Sequence, residues 1–252
     1  MSTSQPPGSA VATEQREQFE REGYFILDST GVAPETLDAV VDDLAPLYGE
    51  PREEDGVIYR WRRVQEAWKL SPSVKALALA PAVLSLLEDL YDRKPVPFQT
   101  LNFWTGTQQA AHSDALHFNS MPTGYMCGVW VALEDIDMDN GPLVYYPGSH
   151  KLPEVTMQDV GVRPDFSEYK EYERYISELI DREGLQPAYA TIKKGQALVW
   201  ASNLLHGGAT QKDPDRTRHS QVTHYFFEGC RYWRPMNTEG DEVYWLDVEP
   251  IA

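Results

Sequence analysis

The stretch Gln109-Ala110-Ala111-His112-Ser113-Asp114 decides how the rest of the chain is read. His112 and Asp114 stand at i and i+2. On an extended strand those positions project to one face, so an imidazole and a carboxylate can meet a single metal ion there. A second imidazole must come from far along the chain. His206, in Asn203-Leu204-Leu205-His206-Gly207-Gly208, is placed to supply it. Two histidines and one carboxylate on one side of a metal, with open positions opposite, suit non-haem Fe(II) and oxygen chemistry. By itself H-x-D is a weak signal, because it recurs by chance in many chains.

Working outward, the texture from Phe98 onward is one of short strands and turns. Strands are expected at Gln99 to Trp104, Tyr125 to Leu133, Leu143 to Tyr146, Ala197 to Ala201 and Gln221 to Phe227. Asn140-Gly141-Pro142 and Pro147-Gly148 turn between them. Many short strands with Gly/Pro turns argue a sandwich or barrel. The first third reads differently. A helix over Glu14 to Glu22 precedes a strand at Tyr24 to Leu27. A second helix spans Thr36 to Leu47, with Leu37, Val40, Val41, Leu44 and Leu47 near helical spacing. Pro51 to Gly56 reads as a charged turn, and Trp61, Val64, Trp68 and Leu70 as packing against the barrel. One or two helices fill Pro72 to Leu90. Glu154 to Leu185 is a long insertion, expected to be helical over Glu168 to Ile180, and its position after Pro147-Gly148-Ser149-His150 suits a cover over a barrel mouth.

The order of these motifs closely resembles one known family. After H-S-D come Gly128-Val129-Trp130-Val131-Ala132-Leu133-Glu134-Asp135-Ile136, Asn140-Gly141-Pro142-Leu143 and Tyr146-Pro147-Gly148-Ser149-His150-Lys151. After His206 comes Arg218-His219-Ser220, leading into Gln221-Val222-Thr223-His224-Tyr225-Phe226. The sequence resembles the phytanoyl-CoA dioxygenase family of Fe(II)/2-oxoglutarate oxygenases from about Gln18 to Phe227. That resemblance implies a mainly β fold with flanking helices around a double-stranded β-helix (jelly-roll, cupin-like) core. It implies Fe(II) held by His112, Asp114 and His206, with 2-oxoglutarate and O2 as co-substrates. Residues 1–12, small, polar and proline-containing, read as a disordered tail, followed by one oxygenase domain over 13–252. Within that domain a helical part covers 13–97, the jelly roll 98–232 and the insertion 154–185.

The same resemblance assigns the co-substrate site. Arg218 should bind the distal carboxylate of 2-oxoglutarate, since a guanidinium pairs bidentately with a carboxylate. Arg216, two residues away, competes for that role. Ser220 shares a face with Arg218 on an extended strand and could add a hydroxyl donor. Gln109 stands where the family often uses an amide against 2-oxoglutarate, and Asn102 on the preceding strand is a further candidate. Family relatives that halogenate lack the carboxylate, so Asp114 favours hydroxylation or another oxidation. His117 could face substrate, His150 shapes its turn, His219 should point away from the site and His224 could stand behind the ligands. Trp104, Phe118, Tyr125, Trp130 and Tyr146 read as core aromatics.

Composition bounds the rest. The 252 residues are 42% hydrophobic and 24% charged, an ordinary globular balance. No apolar run approaches the length that spans a bilayer. Cys127 and Cys230 form no metal-ligand pattern, so reduced thiols and a cytoplasmic location are the default. A formal net charge of −17 disfavours nucleic acid, anionic membranes and a polyanionic CoA ester as partners. A small polar metabolite or natural-product intermediate is expected as substrate. The acidity would favour a cationic one, although a solubilising surface explains the same charge. Two further readings use a jelly roll. A cupin-like isomerase or epimerase would need neither Arg218 nor an open oxygen position. A non-catalytic binding protein would be free to lose one of these four residues.

Overall fold

A computed structural model describes residues 9–48, 52–54, 57–59 and 63–252. Residues 1–8 of the expected tail, positions 51, 55 and 56 of the expected charged turn, and Trp61 lie outside them. The helices are α1 (Ser9–Glu22), α2 (Pro34–Leu44), α3 (Pro72–Ala78), α4 (Pro81–Tyr91), α5 (Met157–Val160) and α6 (Tyr169–Glu183). The strands are β1 (Tyr24–Leu27), β2 (Arg52–Glu54), β3 (Val57–Tyr59), β4 (Arg63–Gln65), β5 (Pro95–Phe103), β6 (Asn119–Met121), β7 (Met126–Ala132), β8 (Leu143–Tyr145), β9 (Ala188–Tyr189), β10 (Ala197–Ala201), β11 (His206–Gly208), β12 (Ser220–Phe227) and β13 (Arg231–Trp233).

An antiparallel six-stranded sheet in the order β1-β10-β7-β12-β5-β4 forms the main layer, and a three-stranded sheet, β11-β8-β9, accompanies it. Strand alternation divides the main sheet's side chains between two cores. Val129, Val131, Val199, Tyr225 and Phe227 pack with Leu37, Val40 and Leu44 of α2, Val74 and Leu77 of α3, and Val83 and Leu87 of α4. Trp130, Ala132, Leu198, Trp200 and Val222 pack with Leu143 and Tyr145 of β8. Every residue of β7 and β12 is therefore buried; β7 reads as an apolar run rather than an alternating strand, whereas β12 buries Ser220, Gln221, Thr223 and His224 as well.

Three expected boundaries move. α1 begins at Ser9, inside the expected tail and ahead of Glu14. Ala10 and Ala12 are strong helix formers, and no proline follows Pro7 to stop them. α2 stops at Leu44 and the last residues tighten into a 3₁₀ turn, Ala45–Leu47, because Pro46 has no N–H to continue the α-helix. The barrel does not begin at 98. β1 and β4 from the helical part join the main sheet, and β5 starts at Pro95. Pro81 divides the Pro72 to Leu90 segment into two helices, and no described helix is long and apolar enough to cross a membrane.

Candidate metal centre

The backbone brings the two key histidines together. His112 and His206 exchange both main-chain hydrogen bonds, His112 N to His206 O at 2.9 Å and His206 N to His112 O at 3.0 Å. This antiparallel bridge sets their rings side by side, centroids 4.6 Å apart. Gly207 and Gly208 allow it. A Cβ on Gly207 would stand 2.6 Å from Gln109 O, and one on Gly208 2.7 Å from Gln108 N. Gly207→Ala is thus expected to push the 108–110 segment away from β11. Overpacking of this kind costs roughly 1–3 kcal/mol. A lowered denaturation midpoint, with weakened metal binding, checks it, and an unchanged midpoint would contradict the close approach.

Asp114 is not on a strand as expected. Ser113 caps a 3₁₀ turn, Asp114–Leu116, its Oγ accepting the Ala115 N–H at 3.2 Å and donating to Ser202 O at 3.2 Å. The chain bends immediately after His112, and the carboxylate still reaches the imidazoles. His112 Nε2 lies 3.9 Å from Asp114 Oδ1 and His206 Nε2 3.7 Å from Oδ2. The three ligand atoms fall within 4.8 Å of one another, all on buried residues.

The donor set suits a divalent metal. His112 Nδ1 lies 3.0 Å from Ala110 O and His206 Nδ1 3.0 Å from Leu204 O. A carbonyl can only accept, so each Nδ1 carries the proton and each Nε2 turns a lone pair inward. Burial, with His206 beside it, pushes the His112 pKa down to about 4, which leaves the ring neutral at pH 7. Burial would raise the Asp114 carboxyl, but His206, His224 and His112 outweigh it and hold the group well below the usual carboxylate range. Trp200 Nε1–H donates to Asp114 Oδ2 at 2.9 Å, and His224 Nε2 lies 3.5 Å from the same oxygen.

These residues form one wall of a pocket of about 570 Å³, its open mouth included. Leu101, Phe103, Trp130, Leu143 and Val222 supply apolar lining, and Arg63 and Arg218 positive charge. Arg218 is buried, its Nη1 donating to Ser220 Oγ at 3.1 Å. The guanidinium lies 5.3 Å from the Trp130 ring centre and 5.6 Å from that of Phe103. Among the described residues no carboxylate pairs with it, and its buried Nε has no partner. Burial pushes its pKa down to about 10, still cationic at neutral pH. A buried cation with an orphaned donor suits an incoming carboxylate. Arg216 instead spends its Nη1 on Asp137, at 2.7 and 2.8 Å, because it precedes β12 in an outer turn.

The other expected residues divide. Gln109 lines the pocket. Asn102 does not line it. Leu101 and Phe103 turn inward, so strand parity turns Asn102 outward, where its Nδ2 donates to Gln221 Oε1 at 3.1 Å. His219 packs edge-on against Trp104, away from the pocket as expected. His117 Nε2 meets Tyr169 OH at 3.0 Å beside the triad. Trp130 is core and pocket wall at once. Sequence reading passed over Trp200, Thr107 and Arg63 as lining residues. The Leu198/Trp200 alternation on β10 was the available signal for the first. Among the described residues of this lining, Asp114 is the sole acidic one. The insertion abuts the site. Tyr172, fully buried, accepts the Ser113 N–H at 3.2 Å, and α6 packs on Leu116 and Leu205, neighbours of the proposed ligands.

A sequence model of the family described as phytanoyl-CoA dioxygenase (PhyH) matches residues 19–220. The chain belongs to the phytanoyl-CoA dioxygenase family. It is 26% identical over 233 residues to phytanoyl-CoA dioxygenase domain-containing protein 1 of Danio rerio, covering 90% of this chain and 77% of that one. The Mus musculus counterpart is 24% identical over 200 residues, covering 71% of this chain but 59% of the mouse protein. Ectoine dioxygenase of Nocardia farcinica (strain IFM 10152) is 28% identical over 228 residues, 81% of this chain and 74% of that protein. Among solved structures, the epimerase SnoN in complex with Fe3+, alpha ketoglutarate and nogalamycin RO superposes with a TM-score of 0.72 at 19% identity, covering 96% of this chain and 99% of that one. EctD from S. alaskensis with 2-oxoglutarate and 5-hydroxyectoine gives 0.65 at 22%, covering 94% and 83%. These likenesses establish the jelly-roll fold of the family.

Proposed function

We propose that this phytanoyl-CoA dioxygenase family member is an Fe(II)- and 2-oxoglutarate-dependent dioxygenase. It oxidises an unactivated C–H bond of a small polar metabolite or natural-product intermediate, with hydroxylation as the outcome. The observation that carries this reading is the gathering of His112, Asp114 and His206 in one pocket with the buried Arg218, whose Nε has no partner.

Each residue has a role in that reading. His112 and His206 would present neutral imidazoles to Fe(II), and Asp114 would add one negative charge. Two imidazoles and one carboxylate oxygen leave three octahedral positions, two for a chelating 2-oxo acid and one for oxygen. When bound, the metal with its co-substrates supplies an oxidant for the substrate C–H bond, with succinate and CO2 released. Arg218 would hold the distal carboxylate of 2-oxoglutarate, with Ser220 orienting the guanidinium. Phe103, Trp130 and Val222 would keep water from that end. Gln109 would line the same pocket.

The test is a metabolite screen with Fe(II), 2-oxoglutarate and ascorbate, following succinate. Substrate-dependent succinate is expected, with one oxygen gained by the product. A product of unchanged mass would indicate epimerisation, an outcome that the fold of the SnoN epimerase also accommodates. A converted substrate without succinate would replace this reading with that of a cupin-like isomerase.

A further inference from the structure

The indole of Trp200 makes a contact that core packing does not require, and its meaning rests on reading the triad as the metal centre. Trp200 is 1% exposed on β10. A phenylalanine would satisfy the same apolar surroundings, yet the side chain present carries an N–H and aims it at Asp114 Oδ2, 2.9 Å away. The seat for that ring is cut into the neighbouring strand. Trp200 pairs with Gly128 of β7, where a Cβ would stand 2.2 Å from indole Cζ2 and 2.3 Å from Cε2. On the other side of β7, Gly128 pairs with His224 of β12. His224 approaches the same Oδ2 at 3.5 Å, while its Nδ1 lies 2.9 Å from Gln99 Oε1. The indole also lies against the His206 ring, centroids 4.9 Å apart.

Oδ2 of Asp114 thus accepts the Trp200 N–H and lies 3.7 Å from His206 Nε2, while Oδ1, 3.9 Å from His112 Nε2, is left to the metal. A carboxylate can bind a metal through one oxygen or through both. Through both, it would leave an octahedral ion already carrying two imidazoles with just the two positions that a 2-oxo acid chelate fills. We propose that Trp200 is a positioning residue that holds Oδ2 and so confines Asp114 to one-oxygen coordination, keeping a further position open for a small ligand. Gly128 serves that role by making room for the indole.

Nitric oxide reports the open position directly. In the absence of oxygen, the wild-type protein saturated with Fe(II) and 2-oxoglutarate should bind nitric oxide, read by its electron paramagnetic resonance signal. In Trp200→Phe, saturated in the same way, nitric oxide affinity should fall at least about tenfold. Fe(II) affinity itself should fall roughly 10–100-fold, the usual worth of a partner outside the ligand shell. Gly128→Ala should reproduce both losses with the tryptophan still present. Equal nitric oxide affinity in wild type and Trp200→Phe at saturating metal would overturn the proposal and leave the metal reading intact. Failure of the wild type to bind Fe(II) would overturn both. If Trp200→Phe does not fold, the wild type still decides through its seven tryptophans. One indole N–H nuclear magnetic resonance signal should move when Zn(II) is added, and seven unmoved signals would overturn the proposal.

Discussion

His112→Ala protein is expected to fold and to bind no Fe(II) at concentrations that saturate the wild type. The side chain's hydrogen bond from Nδ1 to Ala110 O is worth about 1 kcal/mol, and the backbone bridge to His206 survives its removal. Stability should therefore change little. Metal affinity should fall by more than the roughly 10–100-fold that outer partners contribute, because a ligand is lost outright. His206→Ala should behave alike, since both imidazoles turn Nε2 to the same point. Equilibrium dialysis with Fe(II) under nitrogen measures the loss. An unchanged affinity in a folded variant would remove His112 from the site.

Arg218→Ala is expected to raise the 2-oxoglutarate requirement by about one and a half to more than three orders of magnitude. Removing one partner of a buried, hydrogen-bonded charge pair costs roughly 2–5 kcal/mol, and about 1.4 kcal/mol is tenfold. Arg216→Ala should leave that requirement near the wild-type value, because it gives up an exposed pair with Asp137, an interaction of about 0–1 kcal/mol at most sites of this kind. Titration of 2-oxoglutarate against the Fe(II)-loaded proteins separates the two. A larger loss in Arg216→Ala would mean that the carboxylate docks in the outer turn.

Much of the site could be read from residue order, and the failures have physical causes. The gathering of His112, Asp114 and His206 was legible because a metal would need defined ligand types, and Arg218 stood out because a fork of donors is what a buried carboxylate would need. The conformation between His112 and Asp114 was not, because a strand and a bridge followed by a 3₁₀ turn can both present positions i and i+2 to one point. Asn102 failed on strand parity. The pocket side of β5 belongs to Leu101 and Phe103, and with Gln99 on one face and Thr100 and Asn102 on the other, polarity does not announce which side is which. Trp200 was hidden because an indole in an apolar strand reads as core until the donor's target is seen. The β scaffold was legible from its turns, whereas β4 was not, since its three residues carry no alternation long enough to register.

Fe(II) and 2-oxoglutarate are expected to meet at His112, Asp114 and His206. Mixing both with the protein under nitrogen and recording the visible difference spectrum tests it most directly, because a 2-oxo acid chelated to Fe(II) gives a charge-transfer band that neither gives alone. The band should appear in the wild type and be absent from His112→Ala and His206→Ala. No band in the wild type, or an undiminished band in either variant, would contradict that placement.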